Sequence, residues 1–135
     1  MYRMIKCLPG AIALLFIMTG CDSTSVEDEI PVFIVETGGG ETFRIKINDP
    51  QIVQQADSLL GAGINKIVHG PIIAGDGGFN APYSWHLNPD EITFPDLAIE
   101  LCDGRPSFVE NDLSYWLESV EVYCPWGAKL VGKEN

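Results

Sequence analysis

His86 is the side chain best suited to acid–base chemistry in this sequence, because a histidine titrates near neutral pH. Ser84 precedes it by two positions, and Asp90, Glu91 and Asp103 are carboxylates that folding could bring close. A histidine oriented by a carboxylate can act as a general base, so a small hydrolase that uses His86 with Asp103 is one hypothesis. The sequence contains no Gly-x-Ser-x-Gly elbow and no His-Glu-x-x-His motif. The alternative is a structural histidine that bonds a loop carbonyl or an aspartate, and we therefore favour a non-catalytic protein.

The glycine-rich segment 75–80 is the second place where chemistry could occur. Asp76 and Asn80 supply side-chain oxygens that, with backbone carbonyls, could bind a ligand or Ca²⁺. The segment lacks the alternating acidic ligands of an EF-hand loop and the spacing of a Walker phosphate loop. In the alternative interpretation the loop only supplies turn geometry, and Asn80 satisfies backbone groups. The candidate ligand-binding residues are Asp76, Asn80, Trp85 and His86, and no cofactor is predicted.

Aromatic side chains are concentrated in the second half of the chain, at Trp85, Trp116, Tyr123 and Trp126. Packing against a helix and a disulfide is the interpretation that we favour. The functional alternative is an aromatic-lined groove for a glycan or a peptide.

Residues 1–20 have the layout of a signal peptide. Arg3 and Lys6 form a positive start, and residues 7–18 are an uncharged stretch of about 12 residues, too short to span a bilayer, which needs roughly 20. The sequence Met-Thr-Gly-Cys that ends at Cys21 resembles a bacterial lipobox, in which the cysteine is acylated. We therefore expect Cys21 to anchor the protein in a lipid bilayer, on the exported face of a membrane of the bacterial cell envelope. A secretory signal and a buried N-terminal helix are the alternatives.

The charge of the chain limits its partners. Its 19 acidic and 8 basic residues give a formal charge of −11, and removal of Arg3 and Lys6 with the leader changes this to −13. Clustered basic residues, on which general nucleic-acid binding depends, are therefore not expected. Residues 21–30 are typical of a solvated acidic tether, and 31–135 of a single domain. An envelope protein, a peptide or a glycan is the expected partner.

Cys102 and Cys124 are the cysteines left beside the anchor, and we predict that they pair in an exported domain. Their disulfide would close a loop of about 21 residues, which corresponds to roughly 3 kcal/mol in the chain-entropy model. Two separate buried thiols are the alternative. Zinc is disfavoured, because neither cysteine belongs to a Cys-x-x-Cys pair and only His69 and His86 are available.

The elements that must position these residues begin with a hairpin. Residues 30–36 and 41–47 alternate as two strands, and the glycine-rich turn 37–40 joins them. Asp49 and Pro50 then start a helix that we expect to end at Gly61.

The second half of the domain is predicted to contain further strands and one helix. The strands are expected at residues 64–74, 83–87, 97–102 and 129–131, with Leu97, Ile99 and Leu101 pointing inward. Ser107 and Glu110 form a capping-box pattern that starts a helix running to Val120. The sequence thus predicts an α+β domain, with a mainly antiparallel sheet of four to six strands and two helices packed on one face.

Several short motifs resemble a family of small domains named after an amoebal calmodulin-binding protein, whose bacterial members are exported domains of similar size. The resemblance covers roughly residues 41–131 and implies no catalytic residues. Calmodulin itself is not an expected partner, because its targets are normally basic amphipathic helices and the predicted helix 107–120 has no basic residue. The motifs are Gly77-Gly78-Phe79-Asn80, Ser84-Trp85-His86, Glu100-Leu-Cys-Asp-Gly-Arg-Pro-Ser107, Tyr115-Trp116 and Tyr123-Cys-Pro-Trp126.

Overall fold

A computed structural model describes residues 29–135 of the chain. The predictions for the signal peptide, for Cys21 and for nearly all of the acidic tether lie outside these described residues. Within them, no helix has both the length and the apolar character needed to cross a membrane.

The domain is α+β, as predicted, and its six strands form two antiparallel three-stranded sheets with the orders β2-β1-β6 and β4-β3-β5. Three short helices and two irregular helical turns accompany them. In chain order the elements are β1 (Val32–Glu36), β2 (Thr42–Lys46), α1 (Pro50–Ala62), β3 (Gly70–Ala74), β4 (Trp85–Leu87), a 3₁₀ turn (Glu100–Cys102), α2 (Pro106–Asn111), α3 (Leu113–Tyr115), a π-helical turn (Trp116–Val120), β5 (Val122–Tyr123) and β6 (Lys129–Glu134).

The predicted hairpin is present. Phe33 lies opposite Ile45, and Val35 lies opposite Phe43. All four side chains are buried, which is the alternation expected of strands with one face on a core. At the turn, Gly40 adopts the positive φ of 79° that favours glycine.

Helix α1 starts as predicted but continues past Gly61. Asp49 is its N-cap and accepts a hydrogen bond from the Gln51 N–H at 2.8 Å. The helix ends at Gly63, where φ is 63° and the N–H donates to the Leu59 carbonyl. A helix stops where a residue takes the left-handed conformation, and here that residue is Gly63 rather than Gly61.

The prediction of a strand over residues 97–102 is wrong. The segment is irregular as far as the 3₁₀ turn, and Leu97, Ile99 and Leu101 are 87%, 65% and 55% exposed. Cys102 is buried and lies at disulfide distance from Cys124, with a Cα–Cα separation of 5.0 Å, as the pairing prediction required. Asp96 and Glu100 are exposed as well, so the segment does not alternate as a strand would, and only Cys102 at its end is drawn into the core by the disulfide.

The predicted helix over residues 107–120 is broken. Its backbone leaves the helical region at Asp112, with φ −138° and ψ 53°, which separates α2 from α3. The capping box is also wrong: Arg105 is the N-cap, and it makes no side-chain capping bond. Ser107 and Glu110 bond to other parts of the fold instead.

The two sheets meet through a cluster of aromatic rings. Tyr123 on β5 contacts Phe43 on β2 and Trp85 on β4, with ring centroids 5.4 Å apart in each pair. Trp116 packs edge-on against Tyr123 at 5.8 Å. Burial of these large apolar side chains is the main source of stability between the sheets.

Candidate functional site

His86 lies on β4, and its ring is half-buried. Its Nδ1 donates to the Gly75 carbonyl oxygen at 2.7 Å, since a carbonyl can only accept, and Phe79 packs edge-on against the ring at 5.4 Å. Across the described residues, no carboxylate is within salt-bridge distance of His86. This geometry matches the structural alternative for His86.

The side chains proposed to assist His86 are bonded elsewhere. The Ser84 hydroxyl donates to Glu110 at 2.8 Å. Asp103 accepts the N–H groups of Gly104 and Trp126, at 2.9 and 2.8 Å, and so fixes the turn that follows the disulfide cysteine. Asp90 and Glu91 accept hydrogen bonds from Asn48 and Asn88. The structure therefore does not bring Ser84, His86 and a carboxylate together as a catalytic group.

Asn80 fastens the glycine-rich loop to both sheets. Its side chain is buried, its Oδ1 accepts the Arg44 N–H and its Nδ2 donates to the Trp85 carbonyl, both at 2.7 Å. Asp76 accepts the Gly78 N–H within the same loop. No cluster of three or more potential metal ligands occurs in the part of the chain that the structure describes. Asn80 thus satisfies backbone groups, which is the structural alternative for this loop.

The candidate role of Trp85 in ligand binding is contradicted by its burial. Trp85 has no exposed surface, because it lies between the two sheets in the aromatic cluster. Trp116 and Tyr123 are buried in the same cluster. Trp126, by contrast, is 44% exposed.

Two glutamates link the helical region to segments beside β2 and β4, through long-range contacts that no local sequence pattern predicts. Glu41, at the end of the first turn, accepts the N–H of Ser107 at 2.9 Å and its hydroxyl at 2.8 Å. These bonds and the charge of Arg105 hold the pKa of Glu41 below its usual value. Glu110 accepts the N–H and the hydroxyl of Ser84 in the same way, at 2.7 and 2.8 Å.

The surface best suited to binding consists of Leu97, Ile99 and Leu101, which we name the apolar ridge. A groove of about 360 Å³ runs along one side of it, lined by His69, Thr93, Ile99, Cys102 and Val122 among others. A second groove of about 260 Å³ runs along the other side, between Leu97 and the exposed Trp126. The ridge is thus accessible from both sides.

No local pattern in the sequence marks the ridge as exposed, because apolar residues at positions 97, 99 and 101 alternate as they would on a strand that faces a core.

Together the fold and the site define a small disulfide-linked α+β domain with an exposed apolar ridge. The family model of the BP-74 N-terminal domain matches residues 29–135, which is most of the chain. The chain therefore belongs to the BP-74 N-terminal domain family. No curated protein and no solved structure matches it.

Proposed function

We propose that this protein is a lipid-anchored lipoprotein of the bacterial cell envelope, and that its domain is a non-catalytic binding module with the apolar ridge as its recognition surface. The observation that carries the proposal is the exposure of Leu97, Ile99 and Leu101, at 87%, 65% and 55%. Large apolar side chains grouped on a surface favour association, because each Å² removed from water contributes about 25 cal/mol.

The contacts of His86 support binding rather than catalysis. Its Nδ1 donates a hydrogen bond to the Gly75 carbonyl, and the nearby Ser84 hydroxyl donates one to Glu110. A general base needs a proton-accepting nitrogen directed at the group that it activates. The bond from Nδ1 to Gly75 leaves Nε2 as the proton-accepting nitrogen of His86, but no hydroxyl or thiol among residues 29–135 is hydrogen-bonded to Nε2.

The position of the ridge fits an anchor at Cys21. The described chain enters the first sheet at Val32, which pairs with Lys46 and Glu134. The second groove contains Trp126 and Gly127, just before β6, whose first residue Lys129 pairs with Glu36 at the other end of β1. At about 3.3 Å per residue, these ends are separated by most of the length of a strand. The ridge therefore lies near the end of β1 opposite the one at which the described chain enters the sheet.

The anchor is tested by labelling with palmitate. The full chain should incorporate labelled palmitate and fractionate with membranes, whereas C21S should do neither. A serine elsewhere in the same tether, S23A, serves as the matched control and should behave like the unsubstituted chain. Unchanged labelling of C21S would refute lipidation at this residue.

The recognition surface is tested by a photo-crosslinking amino acid placed in the full chain in its source cells. Placed at Leu97, it should give a discrete crosslinked adduct. Placed at Val131, which is 44% exposed but lies on β6, it should give none. Equal adducts at both positions, or none at Leu97, would contradict a role for the ridge.

A further inference from the structure

The backbone beside the apolar ridge is unpaired. Thr93 still pairs with His69, with N–H to carbonyl distances of 2.9 Å in both directions. Beyond it, the N–H groups of residues 96–99 donate to no acceptor within the described range. The chain therefore has no backbone partner after the isolated Thr93–His69 bridge, and the N–H groups of residues 96–99 are available to an added strand.

We propose that an extended peptide binds to this segment as an added strand. Its backbone would pair with residues 96–99, and its alternate side chains would lie in the two grooves beside Leu97 and Ile99. In this mode, backbone hydrogen bonds supply affinity and pockets for alternate side chains supply specificity. The proposal rests on the proposed function, because it takes the ridge as the recognition surface and adds the class of ligand.

The charges around the ridge define the peptide further. Asp96 and Glu100 are both exposed, and the Asp96 side chain is 90% accessible even though it contacts Lys66. The chain as a whole carries a formal charge of −11. A peptide with basic residues among its apolar ones complements these charges. A second copy of the domain would bring the same acidic residues against each other, and an anionic lipid surface would also be repelled.

The experiment is a selection of short random peptides displayed on phage against the immobilised full chain, followed by affinity measurements on the enriched peptides. We expect enriched peptides to alternate apolar residues with lysine or arginine, and to bind more weakly at high salt. L97N should weaken their binding at least about tenfold, since the loss of one buried apolar contact approaches 1.4 kcal/mol. V131N is the matched control and should bind normally.

N-methylation of single peptide amides separates strand addition from simple apolar docking. In an added strand, alternate N–H groups point towards the protein and the others point to solvent. Methylation of the inward set should weaken binding about tenfold or more per bond, and methylation of the outward set should have little effect. Equal effects on both sets would overturn the strand-addition proposal, while a loss of binding in L97N would still support the ridge as a recognition surface.

Three other results would also overturn the inference. They are enrichment of acidic peptides, dimerisation of the domain through the ridge, and binding to anionic vesicles that L97N abolishes. The crosslinking experiment at Leu97 remains an independent test of the proposed function in each of these cases.

Discussion

Glu41 offers a sharp test of how the fold is held together, because one carboxylate joins the hairpin turn to the start of α2. Its Oε2 accepts the Ser107 N–H at 2.9 Å, and its Oε1 accepts the Ser107 hydroxyl at 2.8 Å. The substitution E41Q keeps the size of the side chain, removes the charge and replaces one acceptor by an amide donor. Hydrogen bonds to charged groups contribute about 1.5–3 kcal/mol, and solvent access reduces this. We expect E41Q to lower the free energy of unfolding by about 1–2 kcal/mol.

Urea denaturation followed by tryptophan fluorescence would measure this loss, because two of the three tryptophans are buried. The melting temperature should fall by about 4–8 °C for each kcal/mol in a domain of this size. The matched control is E36Q, since Glu36 belongs to the same hairpin, is exposed and makes no side-chain hydrogen bond to any described residue. It should change stability by less than about 0.5 kcal/mol.

The pH dependence checks the cause of the effect. The hydrogen bonds from Ser107 lower the pKa of Glu41 from its usual value of 4.5. Their stabilising effect is therefore complete above that pH, and it is lost as the pH falls through the lower pKa of the folded protein. The difference between E41Q and the unsubstituted protein should shrink on acidification below about pH 4.5. A difference that is the same at neutral and strongly acidic pH would refute this reasoning, as would the absence of any destabilisation.

Three further substitutions test other parts of the fold. N80A leaves the Arg44 N–H and the Trp85 carbonyl without partners, so it should cost about 2–4 kcal/mol in thermal unfolding. Millimolar Ca²⁺ should not shift the melting temperature of the unsubstituted protein. A clear rise would instead support a calcium site at Asp76 and Asn80. Y123F removes the hydrogen bond from the buried hydroxyl to the Gly104 carbonyl, at 2.8 Å, and should cost about 1–2 kcal/mol in urea unfolding. Burial raises the pKa of Tyr123 above its usual value of 10.0, so a spectroscopic titration should show one phenol that ionises only on alkaline unfolding. Replacing Cys102 and Cys124 together by alanine should lower stability by about 3 kcal/mol, and an unchanged unfolding midpoint would argue against the disulfide.

The sequence predicted the parts of the fold that local patterns determine. The hairpin follows from alternation around a glycine turn, and the start of α1 follows from Asp49 and Pro50. Distant contacts override local patterns elsewhere. Ser107 and Glu110 have the spacing of a capping box, but Glu41 and Ser84 compete for them and are the partners in the folded chain.

The candidate site was harder to predict than the fold, because the side chains that could do chemistry form hydrogen bonds to the backbone instead. His86, Asn80 and Asp103 are polar residues in loop-rich sequence, and all three bond backbone groups of the fold. A single sequence does not distinguish a polar side chain that satisfies the backbone from one that meets a ligand. The exposed residues at 97, 99 and 101 were assigned to the core, since apolar residues in alternation usually face it.

The contacts of the disulfide explain why the apolar ridge stays exposed. The Ile99 carbonyl oxygen lies 3.2 Å from the Cys102 sulfur and 3.4 Å from the Cys124 sulfur, and Tyr123 beside it is part of the aromatic core. Rotation of the segment to bury Leu97 and Ile99 would break these contacts between the Ile99 carbonyl and the disulfide. The ridge is therefore held outward by the same link that stabilises the domain, and a surface held in its binding conformation loses less conformational entropy on association. Loss of the disulfide should accordingly weaken peptide binding, and it should loosen the ridge segment more than the distant β1–β2 hairpin. Hydrogen exchange would detect this as a loss of protection that is largest beside the disulfide, at the residue 124 amide that donates to the residue 102 carbonyl at 2.8 Å.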